Sequence, residues 1–212
     1  MRNLFGLALS LLLAAATPAA AAQQANLTGD QQAAVTRAEA YLDALDTVQA
    51  RFVQVSSNGA YAEGTVFVER PGKLRFEYDP PHPALLIANG LTLLYYDREL
   101  KQASYLPLWE TPLWFLIRED VVLGDALEVM QVAEEPGLLA ITVRNRESPD
   151  QGLVTLGFED APFALKQWEI LDAQGIATRV TLINPRYDQP IDKAIFDASE
   201  FRLENLRRPD GR

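Results

Sequence analysis

The chain has 212 residues, with 19 Lys plus Arg against 29 Asp plus Glu and a formal net charge of −10. Hydrophobic types at 48% and charged types at 23% exclude a disordered tail and a bundle of membrane spans; an acidic chain without a basic block is no nucleic-acid binder. With no cysteine and a single histidine, disulfides, thiol catalysis, Cys-ligated zinc, iron–sulfur centres and multi-histidine metal sites are all excluded, and no cofactor is expected.

Arg2, the apolar run Leu4–Leu13 and the small residues through Ala22 have the layout of a secretory signal peptide over residues 1–22. Residues 23–212 then form one exported domain, because no later apolar stretch approaches a membrane-spanning length. No cysteine follows the signal, so no lipid anchor is expected there.

The first element is a helix. Val35, Ala38, Tyr41, Leu42 and Leu45 recur at helical spacing, and Thr28 with Gln31 is placed as a capping box. The period then changes to two, with Val48, Ala50 and Phe52 on one side of a strand. Strands are predicted over Ala62–Arg70 and Lys73–Asp79, joined by Pro71-Gly72 as a type II turn. Asn89-Gly90 marks a second hairpin between Ala84–Ala88 and Leu91–Tyr96. Glu99–Leu106, Leu127–Val132, Leu138–Arg144, Gly152–Phe158, Leu165–Leu171 and Ile176–Ile183 follow, with a last short strand around Ala194–Phe196. About ten strands in meander order, with short connections, predict a mainly β fold: a large antiparallel sheet, curved or partly closed.

Two features break this pattern. Trp109–Ile117 is nearly all apolar, and Thr111-Pro112 can open a short helix over residues 112–118 that must lie between apolar surfaces. Strand Leu91–Tyr96 is apolar on both faces, with Leu91, Leu93 and Tyr95 opposite Leu94 and Tyr96. Either the first helix and the Trp114 segment cover some of this surface, or the concave side is a cavity for an apolar ligand.

No residues converge as an enzyme's acid, base and nucleophile. His82 lies among Pro80, Pro81 and Pro83 as a turn residue, and Glu63, Glu69, Glu77 and Asp79 read as a solvated face. Arg70 shares a strand face with Gly64, Val66 and Val68, opposite Phe67. If that face is concave, its guanidinium needs partners, and backbone carbonyls at the end of a covering helix suit its fork of donors. From spacing alone, a surface arginine beside the turn is an equal alternative.

Several stretches together resemble the periplasmic outer-membrane lipoprotein carrier (LolA-like) family. They are Ala50-Arg51-Phe52-Val53-Gln54, Gly64 through Gly72, Leu86–Gly90 leading to Tyr96-Asp97, Thr111-Pro112-Leu113, Trp168 with Asp172, Gly175 and Thr178, and Phe196. The resemblance implies an incomplete antiparallel β-barrel with a helical lid over an apolar cavity. It implies a non-enzymatic chaperone that receives triacylated lipoproteins from an inner-membrane ABC-type exporter; the sequence gives no sign of a dimer, and a monomer is expected. It further implies that such a carrier crosses the periplasm and delivers its cargo to an outer-membrane receptor. By the same resemblance Arg70 is the lid latch, and the lid and cavity candidates are Pro112, Leu113, Trp114, Phe115, Leu116, Phe52, Val66, Val68, Leu93 and Tyr95. A carrier of free lipid with the same fold is the alternative. The basic tail after Phe201 has no match among the family's C-terminal elements.

Overall fold

The structure, a computed structural model, describes residues 26–111, 114–124, 127–199 and 201. The predicted signal peptide, Pro112, Leu113 and the tail beyond 201 lie outside them. Helix α1, Gly29–Ala44, starts at the expected cap: Gln31 N donates to Thr28 Oγ1 at 3.3 Å, and Thr28 N donates to Gln31 Oε1 at 3.0 Å. Its predicted stripe is realised, with Val35, Ala38 and Leu42 buried and Tyr41 half-buried.

Strands β1 (Thr47–Ser56), β2 (Tyr61–Glu69), β3 (Lys73–Tyr78), β4 (Ala84–Asn89), β5 (Thr92–Asp97) and β6 (Gln102–Pro107) follow in a meander. A 3₁₀ turn over Leu108–Glu110 and a four-residue helix α2, Trp114–Ile117, lead to β7 (Leu127–Glu135). The chain then continues through β8 (Leu138–Asn145), β9 (Leu153–Asp160), β10 (Phe163–Leu171) and β11 (Ala177–Tyr187). The eleven strands form one sheet, ordered β6-β5-β4-β3-β2-β1-β11-β10-β9-β8-β7, with every neighbour antiparallel. Only β1–β11 joins strands distant in sequence. Among the described residues β6 and β7 do not pair, so the barrel is unclosed, and the segment containing α2 links its two free edges.

Alternation places one face of the sheet against α1. On β2, Ala62, Gly64, Val66 and Val68 are buried, while Glu63, Thr65, Phe67 and Glu69 are not. The other face carries charge, and the carboxylates read as a solvated face are ion-paired there. Arg51 bonds Asp79, Arg98 meets Glu77 at 2.8 Å, and Lys73 meets Glu69 at 3.1 Å.

Two expectations need correction. The segment Ala194–Phe196 is a 3₁₀ helix, Lys193–Phe196, because the Asp192 carboxylate accepts from Ala194 N at 2.9 Å and caps a tight turn. Among the described residues, it is the C-terminal segment that packs on the second apolar face of β5. Leu94 and Tyr96 pack with Leu85 and Ile87 beneath Ala198 and Phe201 of the C-terminal segment, and the Tyr96 and Phe201 rings lie 4.6 Å apart. Arg75 Nη1 fixes that segment by donating to Ile195 O at 2.8 Å.

Candidate functional site: an apolar interior under a clasped lid

Between α1 and the concave face lies an apolar interior lined by Leu42, Leu45, Val48, Val66, Val68, Leu74, Phe76, Ile117, Leu165, Trp168 and Leu182. Leu42 belongs to α1, Leu45 follows it, and Ile117 ends α2; the rest are inward positions of strands. The void left between them is ≈ 20 Å³, room for about one water molecule. That void by itself is far smaller than an acyl chain.

Arg70 stands where the two lid helices end. Its Nε and Nη2 donate to Arg118 O at 2.9 and 2.8 Å, Nη2 also to Glu119 O at 2.9 Å, and Nη1 to Leu42 O and, at 3.2 Å, to Leu45 O. Gly72 N adds a bond to Ile117 O at 2.5 Å. The last carbonyls of a helix have no intrahelical partner, and the end of α1 carries partial negative charge, so a forked cation satisfies both needs. Gly72 takes φ +78°, and Gly90 Cα lies only 3.3 Å from where a side chain on Gly72 would begin, so a residue without Cβ is favoured in this turn. Burial lowers the Arg70 pKa, while Asp43, Asp46 and Asp120 raise it.

Further bonds tie the lid together. Val121 N donates to Asp43 Oδ1 at 2.9 Å and Leu123 N to Glu39 Oε1 at 2.6 Å, joining α1 to the segment after α2. On its other side α1 rests on β7 through Gln31 Nε2–Val132 O at 3.2 Å, and on the β9–β10 turn through Arg37–Asp160 at 2.9 Å.

The expected site residues divide clearly. Arg70 is half-buried with its fork on carbonyls of both lid elements, and Val66 and Val68 line the interior. Phe52 and Leu93 are buried in the same core without lining the void; Phe52 packs edge-on against Phe76 and Tyr78 at ring separations of 5.1 and 5.2 Å. Tyr95, expected in the cavity, is 36% exposed on β5, where it pairs with Ser104 of the edge strand β6. Trp114 packs half-buried against the core at the start of α2. The backbones of Phe115 and Leu116 lie in α2; Pro112, Leu113 and the side chains of Phe115 and Leu116 are outside the described residues. Sequence reasoning did not select Leu42, Leu45, Val48, Leu74, Phe76, Ile117, Leu165, Trp168 or Leu182 as lining. Strand parity marks several of them as inward, but parity does not tell which inward residues border a void. Among the described residues no cluster of potential metal ligands is present, and no helix is long and apolar enough to cross a membrane.

An unclosed, helix-roofed antiparallel barrel with a wholly aliphatic and aromatic interior defines the class of apolar-cavity sheet folds. Residues 43–199 match the family described as outer membrane lipoprotein carrier protein LolA, and the chain belongs to that family. An outer-membrane lipoprotein carrier protein of Azotobacter vinelandii is 26% identical over 196 residues, covering 88% of this chain and 91% of the relative. One from Coxiella burnetii is 37% identical over 83 residues, 37% of this chain and 39% of the relative. In fold, a lipoprotein-sorting protein domain from Vibrio parahaemolyticus superposes with a TM-score of 0.52 at 8% identity, covering 80% of this chain and 97% of that one.

Proposed function

We propose that the protein is a periplasmic lipoprotein carrier: it shields the acyl chains of lipoproteins released from the inner membrane and hands them to an outer-membrane receptor. The observation that carries the reading is the lid whose two halves meet at one arginine over an apolar interior. Membership of the carrier family supports the cargo class. The mechanism is one of competition and breaks no covalent bond. Each methylene removed from water is worth about 0.8 kcal/mol, so a lipoprotein's acyl chains hold a transfer free energy far above a typical protein–protein affinity. The carrier must cover the chains and still release them. The closed lid supplies the counterweight: Leu42, Leu45 and Ile117 occupy the interior themselves, and Arg70 adds charge-assisted hydrogen bonds of about 1.5–3 kcal/mol each. Loading breaks these contacts, and release restores them, which moves cargo onward without an energy source in the carrier. An ATP-driven exporter upstream and a receptor of higher acyl affinity downstream complete the path.

The test is Arg70→Leu. Without the fork the closed state loses its counterweight while the interior is unchanged. The variant is expected to load lipoprotein normally, to accumulate as a one-to-one complex in the periplasm, and to pass little cargo to receptor. Native mass spectrometry of the detergent-free periplasmic protein reads this directly. Normal transfer by Arg70→Leu removes the latch role. Free lipid without a protein partner, in both forms, replaces the lipoprotein cargo with free lipid.

A further inference from the structure

Trp168 is the exception in an otherwise apolar interior. It sits on β10, opposite Leu156 of β9 and Val180 of β11, on the sheet beneath the lid. It is 3% exposed and lines the void, and its ring meets Phe76 edge-on at 6.1 Å. Its indole Nε1–H is buried with no acceptor among the described residues. Buried indole donors ordinarily find a partner, and leaving one without any is unfavourable. A phenylalanine would fill the same wall without that cost. A water is a poor substitute: it needs two to four polar partners, and the other ten lining residues offer apolar side chains only.

An acyl chain is methylene throughout except at its head, where an ester or amide carbonyl provides an acceptor. We propose that Trp168 Nε1 is the donor that receives this carbonyl when an acyl chain enters the interior. The inference rests on the carrier reading and deepens it. The walls bind chain length without regard to linkage, whereas Trp168 recognises the acyl head and sets how deep the chain sits. Trp168 is thus a specificity residue for acyl-linked over alkyl-linked chains, a role separate from the Arg70 latch.

The experiment uses the full exported protein with a synthetic lipopeptide carrying two ester-linked chains, and its analogue with the same chains joined by ethers. Wild type is expected to bind the ester form roughly 5- to 10-fold more tightly, and Trp168→Phe to bind both forms equally, at the level wild type shows for the ether. The chain has three tryptophans, so the indole N–H signals of ¹⁵N-labelled protein are few enough to assign. The Trp168 signal should move downfield with the ester lipopeptide and stay in place with the ether. This readout needs no substitution and decides the matter if Trp168→Phe does not fold. Equal affinity of wild type for both lipopeptides, or an unmoved Trp168 indole signal in the ester complex, overturns the proposal and leaves the carrier reading intact. Failure of wild type to bind either lipopeptide overturns both.

Discussion

Single residues here act through what they leave no room for. Gly64 lies on β2 directly opposite Phe52 of β1 and Tyr78 of β3. A Cβ at this position would collide with the Glu77 carbonyl oxygen and lie 2.7 Å from the Phe52 ring. That ring belongs to the edge-on aromatic group formed with Phe76 and Tyr78, which cannot shift alone in a close-packed interior. Gly64→Ala is therefore expected to destabilise the protein by about 1–3 kcal/mol, seen as a lower urea midpoint at unchanged slope. The sequence shows a glycine in a strand, which marks a close approach, but not what approaches. The same holds for Arg70. Its face was legible from parity, and carbonyls at a helix end could be named as suitable partners. Their identity at Leu42, Leu45, Arg118 and Glu119 needed residues far apart in the chain to meet.

Among the elements, α1 is the one whose boundaries local chemistry writes most clearly. The capping box at Thr28 and Gln31 satisfies two backbone donors at its start, and Arg70 takes carbonyls at its end. Both ends of the lid are thus held by polar bonds, with an apolar stripe between them. Thr28→Ala should cost about 1 kcal/mol of stability, with faster hydrogen exchange in the first turn of α1. The cap lies at the opposite end of α1 from Arg70, so Thr28→Ala should leave the exchange of the last turn near wild type. Equal acceleration along the whole of α1 would mean instead that the lid frays as a unit. The short helix was less legible at its end: the sequence predicts 112–118, and α2 ends at Ile117, while the predicted start at Pro112 lies outside the described residues. Its existence follows from being apolar on all sides, which demands cover, while its extent depends on how the carbonyls of Ile117, Arg118 and Glu119 are captured from outside.

At the scale of the whole molecule, one curved sheet binds phenols into its interior and makes stability sensitive to high pH. Burial raises the Tyr78 hydroxyl to about 12, although its bond to Gln54 pulls the other way, and burial raises Tyr187 and Tyr41 as well. In the unfolded chain these phenols ionise near the ordinary value of about 10. Between the two values the folded chain holds protons that the unfolded chain has released, so stability falls as pH rises across that window. Urea midpoints should decline from pH ~9 to ~12, and Tyr78→Phe should flatten part of the decline. Phenolate absorbance of the folded protein should show these tyrosines ionising late.

The sequence by itself determined the strand meander, the capped leading helix, the apolar segment between β6 and β7, and the family. The first three are written in local periods and turn residues, which local backbone chemistry suffices to read, while the family rests on the resemblance of short stretches and on the match over residues 43–199. Only the tertiary structure decided which inward residues border a void, that Tyr95 lies exposed on β5 next to the edge strand β6, and that the outer apolar face of β5 is covered by Ala198 and Phe201. It also decided that the Trp168 donor is left without a partner among the described residues. These depend on the curvature of an eleven-stranded sheet and on where its lid rests. Both come from the summed packing of residues distant in the chain, and no local pattern encodes them.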